Sequence, residues 1–145
     1  MTAILADSRR THTRAAARDG DASRPLVLVV EDHDDTRLLL KTMLEMRGYR
    51  VAEAVDGEEG VRAARRECPR LVIMDATLPR LDGLAATRRI RSDSALEGVP
   101  VVFLSGHAQP AFRAAALDAG GTEFLVKPVV LADLAAVLER HLRAP

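Results

Sequence analysis

Glu31, Asp32, Asp75, Ser105 and Lys127 each stand directly behind a short apolar run: Leu26–Val30, Leu71–Met74, Val101–Leu104 and Phe124–Val126. If those runs are parallel strands of one open sheet, their C-terminal ends share an edge, and the ligand crevice of such a sheet lies there. Three carboxylates, a hydroxyl and an ammonium then converge. Two carboxylates ~4 Å apart repel by roughly 4 kcal/mol at an effective dielectric of about 20, so three cannot all stay ionised without cations. A hard divalent ion relieves this, and Mg²⁺ suits it, because it keeps several waters and binds one or two carboxylates together with phosphate oxygens. A carboxylate beside such an ion can attack a phosphoryl group as a nucleophile. A lysine can then pair with one phosphoryl oxygen and a serine hydroxyl can donate to another.

The elements that must position these groups are legible in the pattern. β-branched apolar runs alternate with longer segments of helical period, the signature of a parallel sheet between helices. After Leu26–Val30, Asp34 or Asp35 caps a helix whose Leu40, Met43, Leu44 and Arg47 share a face, and Gly48 ends it. Val51–Ala54 is the second strand, Asp56-Gly57 a turn, and Val61, Ala64 and Cys68 a helical stripe that Pro69 stops, with Cys68 a packed small apolar group. Asp82-Gly83 opens a helix to Arg91, with Arg88, Arg89 and Arg91 as a solvated face, and 92–98 is a loop. Pro110 suits the first turn of the next helix, whose Phe112, Ala115, Ala116 and Ala119 face inward before Gly120-Gly121. Leu131, Leu134, Val137, Leu138 and Leu142 form the stripe of a last helix. A cis Lys127-Pro128 bond is expected, since X-Pro bonds give up only about 0.5–1 kcal/mol of trans preference and a sharp reversal turns the lysine back into the crevice.

Taken singly, each of these residues has a plainer reading. Glu31-Asp32 can be a helix cap or a solvated turn, Asp75 a strand-end cap, Ser105 structural and Lys127 a surface lysine. Their joint placement at strand ends is what argues for a site. His12, His33 and His141 have no metal-ligand spacing, and His107 reads as a bystander near Ser105.

The segments Val30-Glu31-Asp32, Asp75-Ala76-Thr77-Leu78-Pro79-Arg80-Leu81-Asp82-Gly83, Leu104-Ser105-Gly106 and Phe124-Leu125-Val126-Lys127-Pro128 resemble the receiver domain of two-component response regulators, over about Leu26 to Leu142. The resemblance implies a flavodoxin-like, doubly wound α/β fold: a five-stranded parallel sheet in order 2-1-3-4-5 with five helices. It implies Asp75 as phosphoacceptor, Asp32 as a direct Mg²⁺ ligand, Glu31 as a water-mediated one and the Thr77 backbone carbonyl as a third protein oxygen. It also implies Ser105 as switch hydroxyl, Lys127 as phosphate-pairing cation and Phe124 as switch aromatic. The function implied is a phosphorylation-dependent switch that takes its phosphoryl group from a sensor histidine kinase or a histidine phosphotransfer protein. Output would run to another protein through the face of the fourth helix, fifth strand and fifth helix. Two departures stand out: Phe124 lacks the hydroxyl of the tyrosine common there, and Gly121 replaces a more usual alanine, loosening that connection.

Two other classes compete. An aspartyl phosphatase of the haloacid-dehalogenase kind also uses an aspartate nucleophile and Mg²⁺, but that family has a second acidic residue two positions on, where this chain has Thr77. A pseudo-receiver that binds partners without phosphorylation is disfavoured by the complete set Asp32, Asp75, Ser105 and Lys127. The expectation is therefore a switch and not an enzyme, apart from its own phosphorylation and dephosphorylation.

Composition bounds the rest. With 145 residues, 48% of them apolar, the chain can bury one core. Lysine plus arginine and aspartate plus glutamate number 21 each, so the field of a nucleic-acid binder is missing. Aromatic residues at 3% leave no stacking platform for single strands. No apolar run approaches the roughly 20 residues that cross a bilayer, the N-terminus lacks a secretion-signal core, and a lone Cys68 cannot form an internal disulfide. A soluble, cytoplasmic protein is expected. Residues 1–24 carry five arginines against three aspartates in an Ala/Ser/Thr/Gly-rich context and read as a disordered arm, with a short helix over 4–18 as the alternative. Residues 25–145 form the receiver domain, which ends close behind the last helix as a stand-alone, chemotaxis-receiver-like chain or a fragment.

Overall fold

The structure is a computed structural model that describes residues 23–106 and 109–142; the expectations for the arm, for His12 and for His107 lie outside the described residues. In chain order the elements are β1 (Leu26–Val30), α1 (Asp34–Met46), β2 (Arg50–Ala54), α2 (Gly57–Glu67), β3 (Leu71–Asp75), α3 (Gly83–Arg91), a 3-10 turn (Ser94–Leu96), β4 (Val101–Ser105), α4 (Pro110–Asp118), β5 (Glu123–Val126) and α5 (Leu131–Leu142). The strands form one parallel sheet in the order β2-β1-β3-β4-β5, the arrangement implied by the resemblance.

The continuous apolar strands follow from a sheet buried on both faces. Successive residues point to opposite sides. Leu28, Val30, Val72, Met74, Val101 and Phe103 pack under α2, α3 and α4 with Val61, Ala64, Ile90 and Ala116. Val27, Val29, Leu71, Ile73, Val102 and Leu104 pack under α1 and α5 with Leu40, Leu44, Leu134, Val137 and Leu138. Each fully buried leucine or isoleucine contributes about 1.5–3 kcal/mol, so a strand without polar interruption is the stable choice at the centre.

Helix ends follow local chemistry. Asp56 and Asp82 cap α2 and α3, accepting from Glu59 N at 2.8 Å and Ala85 N at 2.9 Å. Pro110 occupies the first turn of α4, and Gly48, at φ +92, follows α1 in the left-handed conformation. The Lys127-Pro128 bond is cis.

Several expectations are corrected. The cap of α1 is His33, and Asp34 and Asp35 lie in its first turn, where their charges still face the positive helix end. Arg47 is the exposed C-cap of α1 and shares no buried face. Cys68 is exposed, because it terminates α2 in the left-handed conformation (φ 49) and its side chain swings out of the stripe. Leu131, at the first turn of α5, is 41% exposed, one turn short of the buried stripe. The 92–98 loop holds the 3-10 turn.

Gly121 does not loosen its connection. A Cβ there would lie 2.6 Å from Phe103 Cε2 and 2.9 Å from the Ala116 carbonyl oxygen, so the Phe103 ring fills the space an alanine would use. Beside it, Arg91 ties the turn down by donating from Nε to the Gly120 carbonyl at 3.0 Å and from Nη1 to the Leu96 carbonyl at 3.1 Å. Overpacking of this kind costs about 1–3 kcal/mol. Gly121→Ala should therefore lower the unfolding free energy by that amount, read as a lower urea midpoint at an unchanged slope.

Candidate functional site

The register brings the chemistry-bearing residues together. Val30 pairs with Met74, so Glu31 and Asp75, each the next residue, sit side by side. Asp75 pairs with Leu104 and Ser105 with Val126, which puts Ser105 and Lys127 one step further along the same edge. Because β3 lies between β1 and β4, Asp75 is at the centre, and α1 and α2 leave toward opposite faces to open the crevice. A cavity of about 420 Å³ results, lined by Asp32, His33, Asp75, Thr77, Leu78, Pro79, Ser105, Gly106 and Lys127.

Lys127 is the hub of the charges. Its Nζ lies 3.0 Å from Glu31 Oε1 and 3.2 Å from Asp75 Oδ2, and its backbone N–H donates to the Ser105 carbonyl at 2.9 Å. Asp75 Oδ1 accepts from the Thr77 N–H at 3.2 Å. Glu31, wholly buried, accepts at Oε2 from the His33 N–H at 3.0 Å. Burial first, and then the charge of Glu31, push the Asp75 carboxyl up to about 6, while the Thr77 N–H and Lys127 restrain the rise. Burial pushes Glu31 upward too, but the bonds from His33 and Lys127 outweigh it and leave it below the usual carboxylate range. For Lys127, burial is outweighed by Glu31 and Asp75, which hold its ammonium above its ordinary value.

The residues fit a divalent cation on an observation independent of the family resemblance. Asp32 Oδ1 is buried and accepts no hydrogen bond, and the one ammonium near the cluster, Lys127, is shared between Glu31 Oε1 and Asp75 Oδ2, so the carboxylates outnumber their cation, and an uncompensated buried carboxylate oxygen is costly. One ligand atom each from Glu31, Asp32, His33 and Asp75 all lie within 4.8 Å of one another.

Of the residues expected from the sequence, the structure brings Asp32, Asp75, Thr77, Ser105 and Lys127 into the cavity lining and Glu31 into contact with Lys127. Phe124 lies apart from the cavity. It is half-buried against Phe103 and Phe112, at centroid distances of 6.3 and 6.0 Å, with the Arg113 guanidinium 5.3 Å from its ring centroid. His33 was missed: it lines the cavity, with Nδ1 3.0 Å from Glu31 Oε2 and 3.4 Å from Asp32 Oδ1. Its place directly after Asp32, at the head of a helix, was the signal; a search for spaced histidine ligands passes over it.

The model of the family described as "Response regulator receiver domain" matches residues 27–139. The chain is 38% identical over 125 residues to the transcriptional regulatory protein PrrA of Mycobacterium tuberculosis, covering 86% of this chain and 53% of that protein. It is 38% identical over 117 residues to the probable transcriptional regulator ycf27 of Guillardia theta, covering 81% and 45%. It thus spans about half the length of these curated relatives. Among solved structures, it is similar to the Vibrio cholerae chemotaxis protein CheY4 (TM-score 0.80, 28% identity, 83% of this chain and 100% of that one). It is also similar to the receiver domain of sensor histidine kinase PA1611 from Pseudomonas aeruginosa, with magnesium coordinated in its active site cleft (TM-score 0.78, 35% identity, 84% and 100%).

The raised Asp75 carboxyl makes a stability prediction. Its folded pKa, about 6, exceeds the unfolded value of about 3.9, so ionised Asp75 destabilises the fold. The penalty is absent below pH ~4, grows as the unfolded chain ionises first, and is complete above pH ~6. Asp75→Asn in chelator-treated buffer should gain roughly 2–3 kcal/mol at pH 7.5 and nothing near pH 4, read by denaturant melts across that range.

Proposed function

The chain belongs to the response regulator receiver domain family, and on that premise we propose that it is a phosphorylation switch whose phosphoacceptor is Asp75. The observation that carries this reading is the Lys127 ammonium held within 3.2 Å of both the buried Asp75 and the buried Glu31. A group with that partner is set to exchange a carboxylate for a phosphoryl oxygen.

The phosphodonor is a phosphohistidine of a sensor histidine kinase or a histidine phosphotransfer protein. An Asp75 oxygen forms a bond to phosphorus as the phosphorus–nitrogen bond of the donor breaks, and the electron pair returns to the departing imidazole. Lys127 neutralises one oxygen of the transferred group and the Ser105 hydroxyl donates to another. Water later attacks the phosphorus, the bond from phosphorus to the Asp75 oxygen breaks with its electron pair left on the carboxylate, and inorganic phosphate departs. Asp32, Asp75 and the Thr77 carbonyl would hold Mg²⁺ directly and Glu31 through water; when bound, the ion supplies positive charge against the phosphoryl oxygens. Chemistry is confined to this self-modification, with no other substrate turned over. The receiver unit extends over residues 25–145.

Output follows from the coupling of the pocket to β5. A phosphoryl group adds negative charge and acceptor oxygens that draw the Ser105 hydroxyl inward. Phe124 then moves toward the vacated space, which alters the α4–β5–α5 face. Phe124 pairs in register with Phe103 on β4, two residues before Ser105, which supports that path. A partner protein, not nucleic acid, reads the changed face. A cytoplasmic location goes with this reading; no helix among the described residues is long and apolar enough to cross a membrane.

With a small phosphodonor and Mg²⁺, intact mass should show one phosphoryl adduct, lost in Asp75→Asn and on chelation. Lys127→Ala should slow uptake by about 10²-fold or more, as loss of a preorganised charge does. Wild-type uptake by Asp75→Asn would reject the assignment. Amide exchange should change between Ala111 and Leu134 on adding a phosphoryl mimic; changes confined to the Asp75 loop would reject the output path.

A further inference from the structure

The loop that leads from β3 to α3 is closed at its base and strained at its tip. At the base the Gly83 N–H donates to the Ala76 carbonyl at 3.1 Å, and a Cβ on Gly83 would lie 2.2 Å from the Asp75 carbonyl oxygen. At the tip the Leu81 N–H donates to the Pro79 carbonyl at 2.7 Å, and Arg80 between them has φ 68. This is a γ-turn with a positive central φ, the rare and strained form, in a conformation that glycine adopts freely and arginine does not. The side chain supplies a reason for arginine at such a position. Its Nε donates to Asp56 Oδ2 at 3.0 Å, while Asp56 Oδ1 accepts from the Glu59 N–H in the first turn of α2. The Asp56 side chain is 12% exposed, so the anion is fixed by its own capping bond. The start of α2 touches the same loop a second time at Gly57, where a Cβ would lie 1.7 Å from the Leu81 carbonyl oxygen.

We propose that Arg80 is a positioning residue for the phosphoacceptor pocket and acts through Asp56, the pair tying the tip of the β3–α3 loop to the start of α2. The inference rests on the reading of Asp75 and Thr77 as groups that hold a phosphoryl group and Mg²⁺. Neither Arg80 nor Asp56 lines the cavity; Thr77, Leu78 and Pro79, between Asp75 and the turn, form its wall. Thr77 is the group that the tie keeps in place, because its N–H holds Asp75 Oδ1 at 3.2 Å. Without the ion pair nothing offsets the strain at Arg80, the loop spends part of its time out of this geometry, and affinity for the cation falls by the fraction of competent loop that is lost.

The test is Mg²⁺ titration calorimetry of the full chain for the wild type, Arg80→Ala, Asp56→Ser, the double variant and Arg80→Gly, with urea melts and amide exchange of Thr77 measured on each. Serine still caps α2 and is too short to reach Arg80. Arg80→Ala and Asp56→Ser should each weaken Mg²⁺ binding about threefold, within the range of a partly exposed ion pair, and speed exchange at Thr77. The double variant should lose no more than either alone, as coupled partners do. Arg80→Gly separates positioning from stability: relief of the left-handed strain should keep or raise the urea midpoint while Mg²⁺ binding still falls about threefold. Binding in Arg80→Ala within about 1.5-fold of wild type, a double variant that shows the product of the two single losses, or an Arg80→Gly variant that keeps wild-type binding overturns the proposal while Mg²⁺ binding by the wild type stands. Absence of Mg²⁺ binding in the wild type overturns the pocket reading beneath it.

Discussion

A single ammonium sits between two buried carboxylates. Lys127 stands 3.0 Å from Glu31 and 3.2 Å from Asp75, with one cation facing two anions that water cannot fully screen. Burying a charge is expensive unless it is paired, and here the pairing is incomplete by one charge. The raised Asp75 carboxyl is the consequence. Such an arrangement is unfavourable for folding alone, and it suits a site that receives a cation and an anionic phosphoryl group.

The rest of the fold makes that arrangement unavoidable. Parallel register lines up the C-terminal ends of β1, β3, β4 and β5, and apolar strands packed on both faces leave no room for slippage. The same ladder continues outward. Lys127 N–H bonds the Ser105 carbonyl, Phe124 pairs with Phe103, and Phe103 occupies the space above Gly121. Charge at the pocket and aromatic packing near α4 are thus carried by two neighbouring strands, β4 and β5.

Much of this was legible in the sequence because it depends on local rules. Continuous runs such as Leu26–Val30 announce strands buried on both faces, and Asp82 announces a helix start. The strand-end residues were legible as a set because a parallel sheet has one functional edge. What escaped was decided by tertiary geometry. The cap of α1 is His33 because the chain leaves β1 with Glu31 accepting from the His33 N–H, an arrangement propensity alone does not reveal. Cys68 leaves the stripe through a single left-handed residue. Gly121 reads as freedom in one dimension and proves to be a fitted contact with Phe103, a residue 18 positions earlier.

The identity of the acceptor is tested most directly by chemical trapping. After exposure to a phosphodonor with Mg²⁺, borohydride reduces an aspartyl phosphate to homoserine, which peptide mass mapping locates. Homoserine at position 75 and at no other aspartate is the expected result. Homoserine at Asp32, Asp56 or Asp82, or none at all from protein that carries phosphate, would contradict it.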